Sequence, residues 1–484
     1  MRRLTRILVL GCTLAAILFC YPFCFPTLSF AQEQQMRLKV GTLAPAGTSV
    51  AIAVDTFLEG VNAMGKSTGY AVKVLGYYGG IMGDEPEMEQ KARLGQLDIV
   101  LVTLSTMARL VPPLEPYYLP FLVNNFGEFD YLMKQGYLKR IAEETWKRGF
   151  FTLGFMTEGM YDLYYHSDQE IRTPEQARKK KMNAANWTGT PHDNVWIPLG
   201  IPETPVSVPE LPTYEKMGMV SMDVSPALWV VGVQRYTIRP MLTIVQPSFF
   251  TGGGGALLTR PKFEELPWDF KIGVAGMLPL LMYVANGQLR DGHYAFVDAL
   301  IKYGVRKVTL TDSETKAWKD PLVAYRETYL NKNPDKRDSY NMISRILSDY
   351  PKTPSIERAI YEADPRCINF RNRMDMAVKA IKAYIDTGSL EEAAALEQKH
   401  VMPKWAAYDG VVGAQKFIET GDPKPLRAWL SMFLPDEIVN EAFSKHMDEI
   451  KKLYGSKEAL KARAKEWLAY IESKKYKGYY KGDK

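Results

Sequence analysis

Two polar loops in the first quarter of the chain carry residues suited to holding a ligand. TLAPAGTS follows the first predicted strand, TLSTMA follows the apolar run that ends at Val102, and each precedes a helix. In open α/β sheets, ligands bind beyond the carboxyl ends of the strands. Free backbone N–H groups and the hydroxyls of Thr48 and Thr103 can face a polar ligand there. Ordinary helix capping explains each loop equally well alone, but the two together favour a shared cleft.

Candidate catalytic groups are scattered. The chain contains no H-E-x-x-H or C-x-x-C motif. The segment YYGGIMGDE lacks the G-x-G-x-x-G form, and Asp84 and Glu85 at the next helix start would repel a phosphate. The five histidines of the chain lack the spacing of metal ligands. They are His166, His192, His293, His400 and His446. We therefore expect no enzyme activity, no nucleotide-binding loop, no metal and no cofactor.

The N-terminal 31 residues are predicted to be a secretory signal peptide. Three arginines precede an apolar stretch, and Ser29-Phe30-Ala31 has the small-x-small form of a cleavage site. A membrane anchor is the alternative, but prolines at 22 and 26 and the polar residues 32–35 disfavour it. Removal of the segment predicts a mature protein in the periplasm of a Gram-negative bacterium, not embedded in the membrane.

Charge and cysteine content narrow the function classes further. The net charge of +6 falls to +6 − 3 = +3 without the signal, which is too weak to indicate nucleic-acid binding. Three cysteines leave with the signal and Cys367 remains alone, so no internal disulfide is expected. The hydrophobic core must therefore stabilise the fold.

Strand and helix signals alternate through the first two thirds of the chain, which predicts an α/β fold with mainly parallel sheets. Strands are predicted over 37–42, 70–75, 97–102, 150–155, 162–166, 181–184, 220–224, 241–245 and 257–260. Helices are predicted over 47–64, 85–94, 128–149, 173–179 and 208–216. The run of four glycines at 252–255 predicts either a flexible loop or a bend between domains.

The last part of the chain is predicted to be helical. Segment 371–386 is amphipathic, Ser389 opens a capping box, and Pro435-Asp436 begins a further helix. One face of the final helix is apolar, through Leu460, Ala464, Trp467, Leu468 and Ile471. The basic, tyrosine-rich tail SKKYKGYYKGDK is predicted to be a solvated end.

Six segments in order resemble the solute-binding proteins of TRAP transporters, the DctP-like family. They are LKVGTLAPAGTSV, GIMGDEPEMEQKARLGQLDIVL, PPLEPYYLPFL, IRTPEQARKKKMNAA, WIPLGIPETPVSVPELPTYEKMGMVSMDV and ALLTRPKFEELP. The resemblance covers about residues 37–330. It implies a two-domain periplasmic-binding-protein fold that closes on its ligand by a hinge and delivers it to a membrane permease.

The resemblance also implies two arginines that this sequence lacks. Family members clasp a substrate carboxylate with an arginine at the end of a strand, and that position here is Asn183. A second family arginine corresponds to Tyr161. Because an arginine offers a charged bidentate fork and Asn and Tyr offer neutral hydrogen bonds, we expect a pocket without the usual carboxylate clasp.

The expected ligand is a small solute, either an organic acid or a more neutral, aromatic or apolar compound. Phe249 and Phe250 are further aromatic candidates, although core packing is the commoner role of such side chains. The run Lys179–Lys181 is interpreted as a solvated helix end. The residues predicted to line the cleft are Thr48, Thr103, Glu158, Tyr161, Asn183, Trp187, Ser225 and Trp229.

The domain prediction follows from the resemblance. Binding domain I comprises 32–157 and 248–295, binding domain II comprises 158–247 and 296–330, and 331–484 forms a helical C-terminal extension. Two alternatives stay open. The first is a periplasmic lipid- or partner-binding protein on the same fold. The second is a secreted hydrolase, which requires His166 or His192 beside a Ser or Asp in the cleft.

Overall fold

A computed structural model describes residues 34–46, 48–187, 193–238, 242–350, 379, 381–389 and 408–473. The predicted signal peptide, Cys367, His192, the capping box after Ser389 and the basic tail lie outside these residues, as does most of the amphipathic segment 371–386.

A nine-stranded sheet forms the centre of the protein. The strands are β1 (Gln34–Gly41), β2 (Tyr70–Tyr77), β3 (Ile99–Thr103), β4 (Phe150–His166), β5 (Ala184–Trp187), β6 (Glu203–Val206), β7 (Met222–Pro226), β8 (Leu242–Thr259) and β9 (Arg306–Thr309). Their order is β2-β1-β3-β8-β4-β7-β5-β6, with β9 beside β8. We call the part built on β1–β3 the first lobe and the part built on β5–β7 the second lobe.

Helices cover this sheet and continue beyond it. They are α1 (Ser49–Thr68), α2 (Glu85–Arg93), α3 (Leu104–Leu110), α4 (Phe126–Leu132), α5 (Leu138–Lys147), α6 (Pro174–Lys179), α7 (Asp193–Leu199), α8 (Leu211–Lys216), α9 (Ala227–Gly232), α10 (Arg260–Glu265), α11 (Trp268–Lys302), α12 (Asp312–Lys332), α13 (Arg337–Asp349), α14 (Tyr408–Thr420), α15 (Lys424–Leu430), α16 (Asp436–Lys445), α17 (Met447–Tyr454) and α18 (Lys457–Ser473). The structure therefore confirms the α/β fold class and the helical C-terminal region.

The sheet is mixed, with parallel pairing inside each lobe. β1 pairs in parallel with β2 and β3, and β5 pairs in parallel with β6 and β7. The antiparallel pairs all involve the long strands β4 and β8, which also pair with each other. These two strands therefore join the lobes.

Strands β4 and β8 are continuous where the sequence predicts breaks. The predicted pairs of short strands, 150–155 with 162–166 and 241–245 with 257–260, are each one strand. The glycine run 252–255 is neither a loop nor a bend, because it lies inside β8 and pairs with β4. Glycine is needed there for space: a Cβ on Gly252 would lie 2.0 Å from the ring of Tyr161, and one on Gly253 would lie 2.9 Å from the ring of Phe155.

The predicted helix 128–149 is divided in the structure. A wide turn over Met133–Tyr137 separates α4 from α5, and Gly136 within it has a φ of 106°. That backbone conformation is left-handed and interrupts a regular helix. The long helix α11 was not predicted; it packs along α1 and β4, and its Asn286 Oδ1 accepts a hydrogen bond of 2.7 Å from the N–H of Thr157.

The C-terminal helices pack against the first lobe. Trp146 of α5 donates its indole N–H to Glu437 of α16 at 2.7 Å, and the ring of Trp268 stacks on His446 at a centroid distance of 4.2 Å. Helix α16 begins at Asp436 after Pro435, as predicted. No helix in the described part of the chain is long and apolar enough to cross a bilayer.

Candidate functional site

Two adjoining cavities lie at the carboxyl ends of strands from both lobes. Their open volumes are about 500 Å³ and about 420 Å³, and both are lined by Glu85, Thr103 and Trp229. The larger is also lined by Leu43, Asp84, Pro86, Ser105, Thr106, Tyr161, Trp187, Ser207, Val208, Ser225 and Pro226. The smaller is also lined by Thr42, Leu101, Val102, Met156, Thr157, Glu158, Gly254, Gly255 and Leu289. We call the two cavities together the cleft.

The first lobe contributes a carboxyl group that is fixed by a helix start. Thr103 ends β3 and caps α3, and its backbone N–H and its hydroxyl both donate to the carboxylate of Glu85, the hydroxyl at 2.7 Å. Asp84 caps α2 by accepting the N–H of Glu87 at 3.1 Å. Glu85 is buried at the first position of α2, and its side chain therefore has a defined orientation at the edge of the cleft.

A second buried carboxyl group comes from the strand that joins the lobes. Glu158 lies at an irregularity of β4, between Thr157 and Gly159, and accepts a hydrogen bond of 2.7 Å from the hydroxyl of Tyr161. The indole of Trp229 is its other hydrogen-bond donor. Gly254 on β8 leaves room for this side chain, since a Cβ there would lie 2.8 Å from Glu158 Oε1.

Burial changes the acidity of both carboxyl groups. Burial raises the pKa of Glu85, and the hydrogen bonds from Thr106 and Thr103 oppose that rise. Burial also raises the pKa of Glu158 well above its ordinary value; the negative charge of Glu85 adds to the rise, whereas the hydrogen bonds from Tyr161 and Trp229 oppose it. The cleft therefore disfavours two simultaneously ionised carboxylates.

Aromatic side chains line the cleft from the joining strand β4 and from the second lobe. The ring of Tyr161 stacks on Phe250 at a centroid distance of 4.5 Å and meets Tyr118 edge-on at 6.4 Å. Trp187, at the end of β5, donates its indole N–H to the carbonyl of Val224 at 3.3 Å. These contacts hold the rings of Tyr161 and Trp187 in place before any ligand arrives.

The structure brings together most of the residues that were predicted from the sequence to line the cleft. Six of them line the cleft: Thr103, Glu158, Tyr161, Trp187, Ser225 and Trp229. Phe249 and Phe250 lie in the hydrophobic core instead of the lining. Lys179 is exposed and pairs with Glu175 at 2.7 Å, in agreement with a solvated helix end.

Thr48 and Asn183 are not among the residues that line the cleft. Thr48 is used as a helix cap, because its Oγ1 accepts the N–H of Ala51 at 3.3 Å. The side-chain amide of Asn183 donates to Thr204 Oγ1 at 2.7 Å and to the carbonyl of Met219 at 2.6 Å. Strand β5 begins one residue after Asn183, and the predicted strand 181–184 is correspondingly displaced.

The sequence did not nominate Asp84 or Glu85 as site residues. The sequence indicates only that their negative charges would repel a phosphate, whereas the structure places both residues in the lining of the larger cavity. The sign that identifies Glu85 is its position at a helix start after a glycine turn, facing the end of a neighbouring strand. Nothing in the sequence pairs it with Glu158, which is distant along the chain.

A buried arginine lies near the second lobe's side of the cleft, but its guanidinium is occupied. Arg235 donates to Glu215 at 2.6 Å and to Asp223 at 2.6 Å, in both cases through Nη2, and both carboxylates are fully buried. His166 Nε2 lies 3.2 Å from the same Glu215. Arg235 and His166 are absent from the described lining of the cleft, and Arg235 has no free edge to clasp a ligand.

One stretch matches two functional motifs that were not expected in this sequence. The segment GVNAMGKSTG, residues 60–69, matches both G-x-x-x-x-G-K-[ST] and G-x-S-x-G. The first motif requires a strand, a loop and a helix, and the second a strand-to-helix turn. Here the stretch lies within α1 and ends at the turn into β2, so neither context is present.

Residues 40–189 match the family model of bacterial extracellular solute-binding protein, family 7, known as DctP. A curated solute-binding protein from Chromohalobacter salexigens is 24% identical over 110 residues, which span 23% of this chain and 32% of that relative. The predicted resemblance to DctP-like solute-binding proteins is confirmed over this stretch. The matching stretch runs from the last two residues of β1 to just beyond β5, and it contains the residues that the first lobe contributes to the cleft.

Solved structures of TRAP periplasmic solute-binding proteins share this fold. The one from Sulfitobacter sp., with bound β-D-galacturonate, gives a TM-score of 0.57 at 18% identity, covering 64% of this chain and 100% of that one. A sugar acid binding protein from Advenella mimigardefordensis in complex with galactonate gives 0.59 at 17%, covering 66% and 99%. The protein from Haemophilus influenzae with L-gulonate gives 0.59 at 13%, covering 64% and 99%. The two-domain periplasmic-binding-protein fold is therefore present, and about a third of this chain lies outside it.

Proposed function

We propose that this protein is the periplasmic solute receptor of a TRAP-type importer, which binds a small ligand in the cleft and closes on it by a hinge. The observation that carries the proposal is that the residues lining the cleft come from both lobes and from the strand between them. Thr103 comes from the first lobe, Trp187 and Ser225 come from the second, and Tyr161 comes from a strand that joins them. A ligand that contacts all four would hold the lobes together.

The same geometry supports two boundaries of the proposed domain division. Domain I comprises 32–157 and 248–295, domain II comprises 158–247 and 296–330, and the C-terminal helical extension follows. The boundary after residue 157 lies inside β4, and the boundary after residue 247 lies inside β8. Such long strands would form a hinge in which the two lobes rotate about a shared sheet.

The proposed mode of binding omits the arginine–carboxylate clasp. Among the described residues that line the cleft there is no Lys, Arg or His. Asn183 stands at the expected arginine position, and its side-chain amide donates its hydrogen bonds to Thr204 and Met219 of the second lobe.

A ligand screen by thermal unfolding tests the receptor function. The panel contains sugar acids, neutral sugars, amino acids and amines, because a ligand that binds only the folded state stabilises it by about 2.7 kcal/mol at 100-fold excess over Kd. We expect one class of small solute to raise the melting temperature of the wild-type protein. The Trp187→Ala variant should lose that response.

Asn183→Ala is the matched control, since Asn183 is absent from the described lining. It should keep the ligand-induced shift even where its own melting temperature is lower. A response to sugar acids that disappears in Asn183→Ala would contradict the proposed mode of binding. A complete absence of response to every class would contradict the receptor function.

A further inference from the structure

The described lining of the cleft is acidic. Asp84 and Glu85 line the larger cavity, Glu85 and Glu158 line the smaller one, and no cationic side chain stands beside them in the described lining. Glu85 and Glu158 are 5% and 7% exposed, so solvent screens them poorly. The two carboxyl groups are close enough for the charge of Glu85 to raise the pKa of Glu158.

Aromatic side chains surround these acids. Tyr161, Trp187 and Trp229 line the larger cavity together with Asp84 and Glu85. The faces of Trp and Tyr rings attract cations, and enclosed sites that bind quaternary ammonium groups combine several such rings. The cleft thus combines buried carboxyl groups with aromatic rings, and both kinds of group can bind a cation.

We propose that the cleft takes a small organic cation, an amine or a quaternary ammonium compound, in place of a sugar acid. This inference rests on the proposed function and names the class of solute that the receptor carries. The ammonium group lies against Glu85 and Glu158, with the rings of Tyr161, Trp187 and Trp229 around the rest of the ligand.

Charge decides between a cation and an acid. Like charges repel and opposite charges attract, and both effects strengthen where little solvent separates the groups. A carboxylate placed in this cleft meets Glu85 and Glu158, and where these groups are ionised no Lys, Arg or His of the described lining offsets the repulsion. The neighbours with bound galacturonate, galactonate and L-gulonate share only the fold at their low identities, so their ligands do not set the charge of this one.

The environment of Glu158 makes binding depend on pH. Glu85 faces it from α2, Tyr117 and Tyr118 from the adjoining 3₁₀ turn over Pro112–Tyr118, Tyr161 from its own strand, and Trp229 from α9. Since burial raises the pKa of Glu158, a cation that pairs with the ionised form must displace a proton. Affinity for a cation therefore increases with pH, and affinity for an acid decreases.

Isothermal titration calorimetry of the full chain tests the inference with defined probes. The probes are choline, ethanolamine and putrescine as cations, the neutral carbon isostere of choline, and glucuronate and galactonate as acids. We expect at least one cation to bind, and choline to bind at least about tenfold more tightly than its isostere. Binding of the cation should tighten as the pH rises, because the raised pKa of Glu158 means that its carboxyl group must lose a proton to pair with the cation.

Glu158→Gln separates charge from shape. This variant should weaken binding of the cation at least about tenfold and flatten its pH dependence, while the isostere binds as it does to the wild type. Glu175→Gln is the matched control, because Glu175 is an exposed acid that pairs with Lys179 outside the cleft. Should Glu158→Gln fail to fold, Glu85→Gln supplies the same comparison.

The outcomes distinguish the two proposals. Tighter binding of glucuronate or galactonate than of any cation, or equal binding of choline and its isostere, overturns the cationic ligand and leaves the receptor function intact. A cation whose affinity is unchanged in both Glu158→Gln and Glu85→Gln also overturns it. If neither these probes nor any class in the thermal screen binds, the receptor function fails as well.

Discussion

Arg235 holds helix α8 and strand β7 together through two buried carboxylates. Its guanidinium donates to Glu215 and Asp223, and all three side chains are at most 1% exposed. Burial raises the pKa of Asp223 to about 6 although Arg235 opposes the rise. Burial also tends to raise the pKa of Glu215, but Arg235 and His166 together lower it below the usual value. The network therefore fixes the end of β7, which carries Ser225 into the cleft.

Replacing Arg235 with Met should lower the free energy of unfolding by about 3–5 kcal/mol, because it leaves two buried carboxylates without a cation. Urea unfolding followed by circular dichroism at neutral pH measures the loss. Lys179→Met is the control, as it removes a cation from an exposed ion pair and should cost at most about 1 kcal/mol. Equal losses in the two variants would refute the role given to the network.

At the scale of single elements, the glycine run of β8 determines how closely the aromatic side chains of β4 can approach it. Gly252 faces the ring of Tyr161, and Gly254 faces the carboxylate of Glu158. Two of the cleft's side chains thus occupy the space that side chains on β8 would otherwise fill. Strand β8, whose glycine run carries no side chains, therefore sets the position of these cleft residues.

Gly252→Ala should therefore destabilise the protein by about 1–3 kcal/mol, the usual range for an added methyl group in a packed core. It should also displace Tyr161 and weaken ligand binding in the thermal screen. Gly232→Ala is the matched control, since the nearest atom to a Cβ there lies 3.7 Å away, at ordinary contact distance. A Gly252→Ala protein with unchanged stability and unchanged ligand response would show that the ring of Tyr161 moves freely.

The sequence predicts elements whose pattern is local and misses those that depend on partners. The apolar run before Thr103 identifies β3, and the alternation around it gives the correct fold class. The continuity of β4 and β8 could not be predicted, because Gly159 and the glycine run have no local reason to be extended without the facing strand. Likewise Thr103 and Trp187 were found from loop position and polar surroundings, whereas Glu85 becomes a site residue only once β3 lies beside it.

For the molecule as a whole, the C-terminal helices are part of the core structure of the first lobe. Tyr454 of α17 packs directly over Gly276 of α11, where a Cβ would lie 1.8 Å from its hydroxyl oxygen. Lys452 of the same helix pairs with Asp269 at 3.2 Å. These contacts favour a structural role for the described C-terminal helices.

Gly276→Ala should loosen this docking and lower the melting temperature, since the new methyl group and the Tyr454 hydroxyl cannot occupy the same space. Limited proteolysis should then cleave the C-terminal helices faster than in the wild type. Tyr454→Phe removes the clashing oxygen, which makes no hydrogen bond to the described residues, so the double variant should recover stability. Failure of the double variant to recover would place the strain elsewhere.

The pairing of β3 with β8 has a consequence for how the chain acquires its structure. Leu101 lies opposite Ala256, so the first lobe cannot complete its sheet until strands β5–β7 of the second lobe have been synthesised. Closing so long a stretch of chain costs entropy before any contact repays it, and pairings of this kind make folding slow. Refolding from urea should therefore form the second lobe's short-range β5–β6 pairing early and the cleft last, so that ligand binding returns only in the slowest phase.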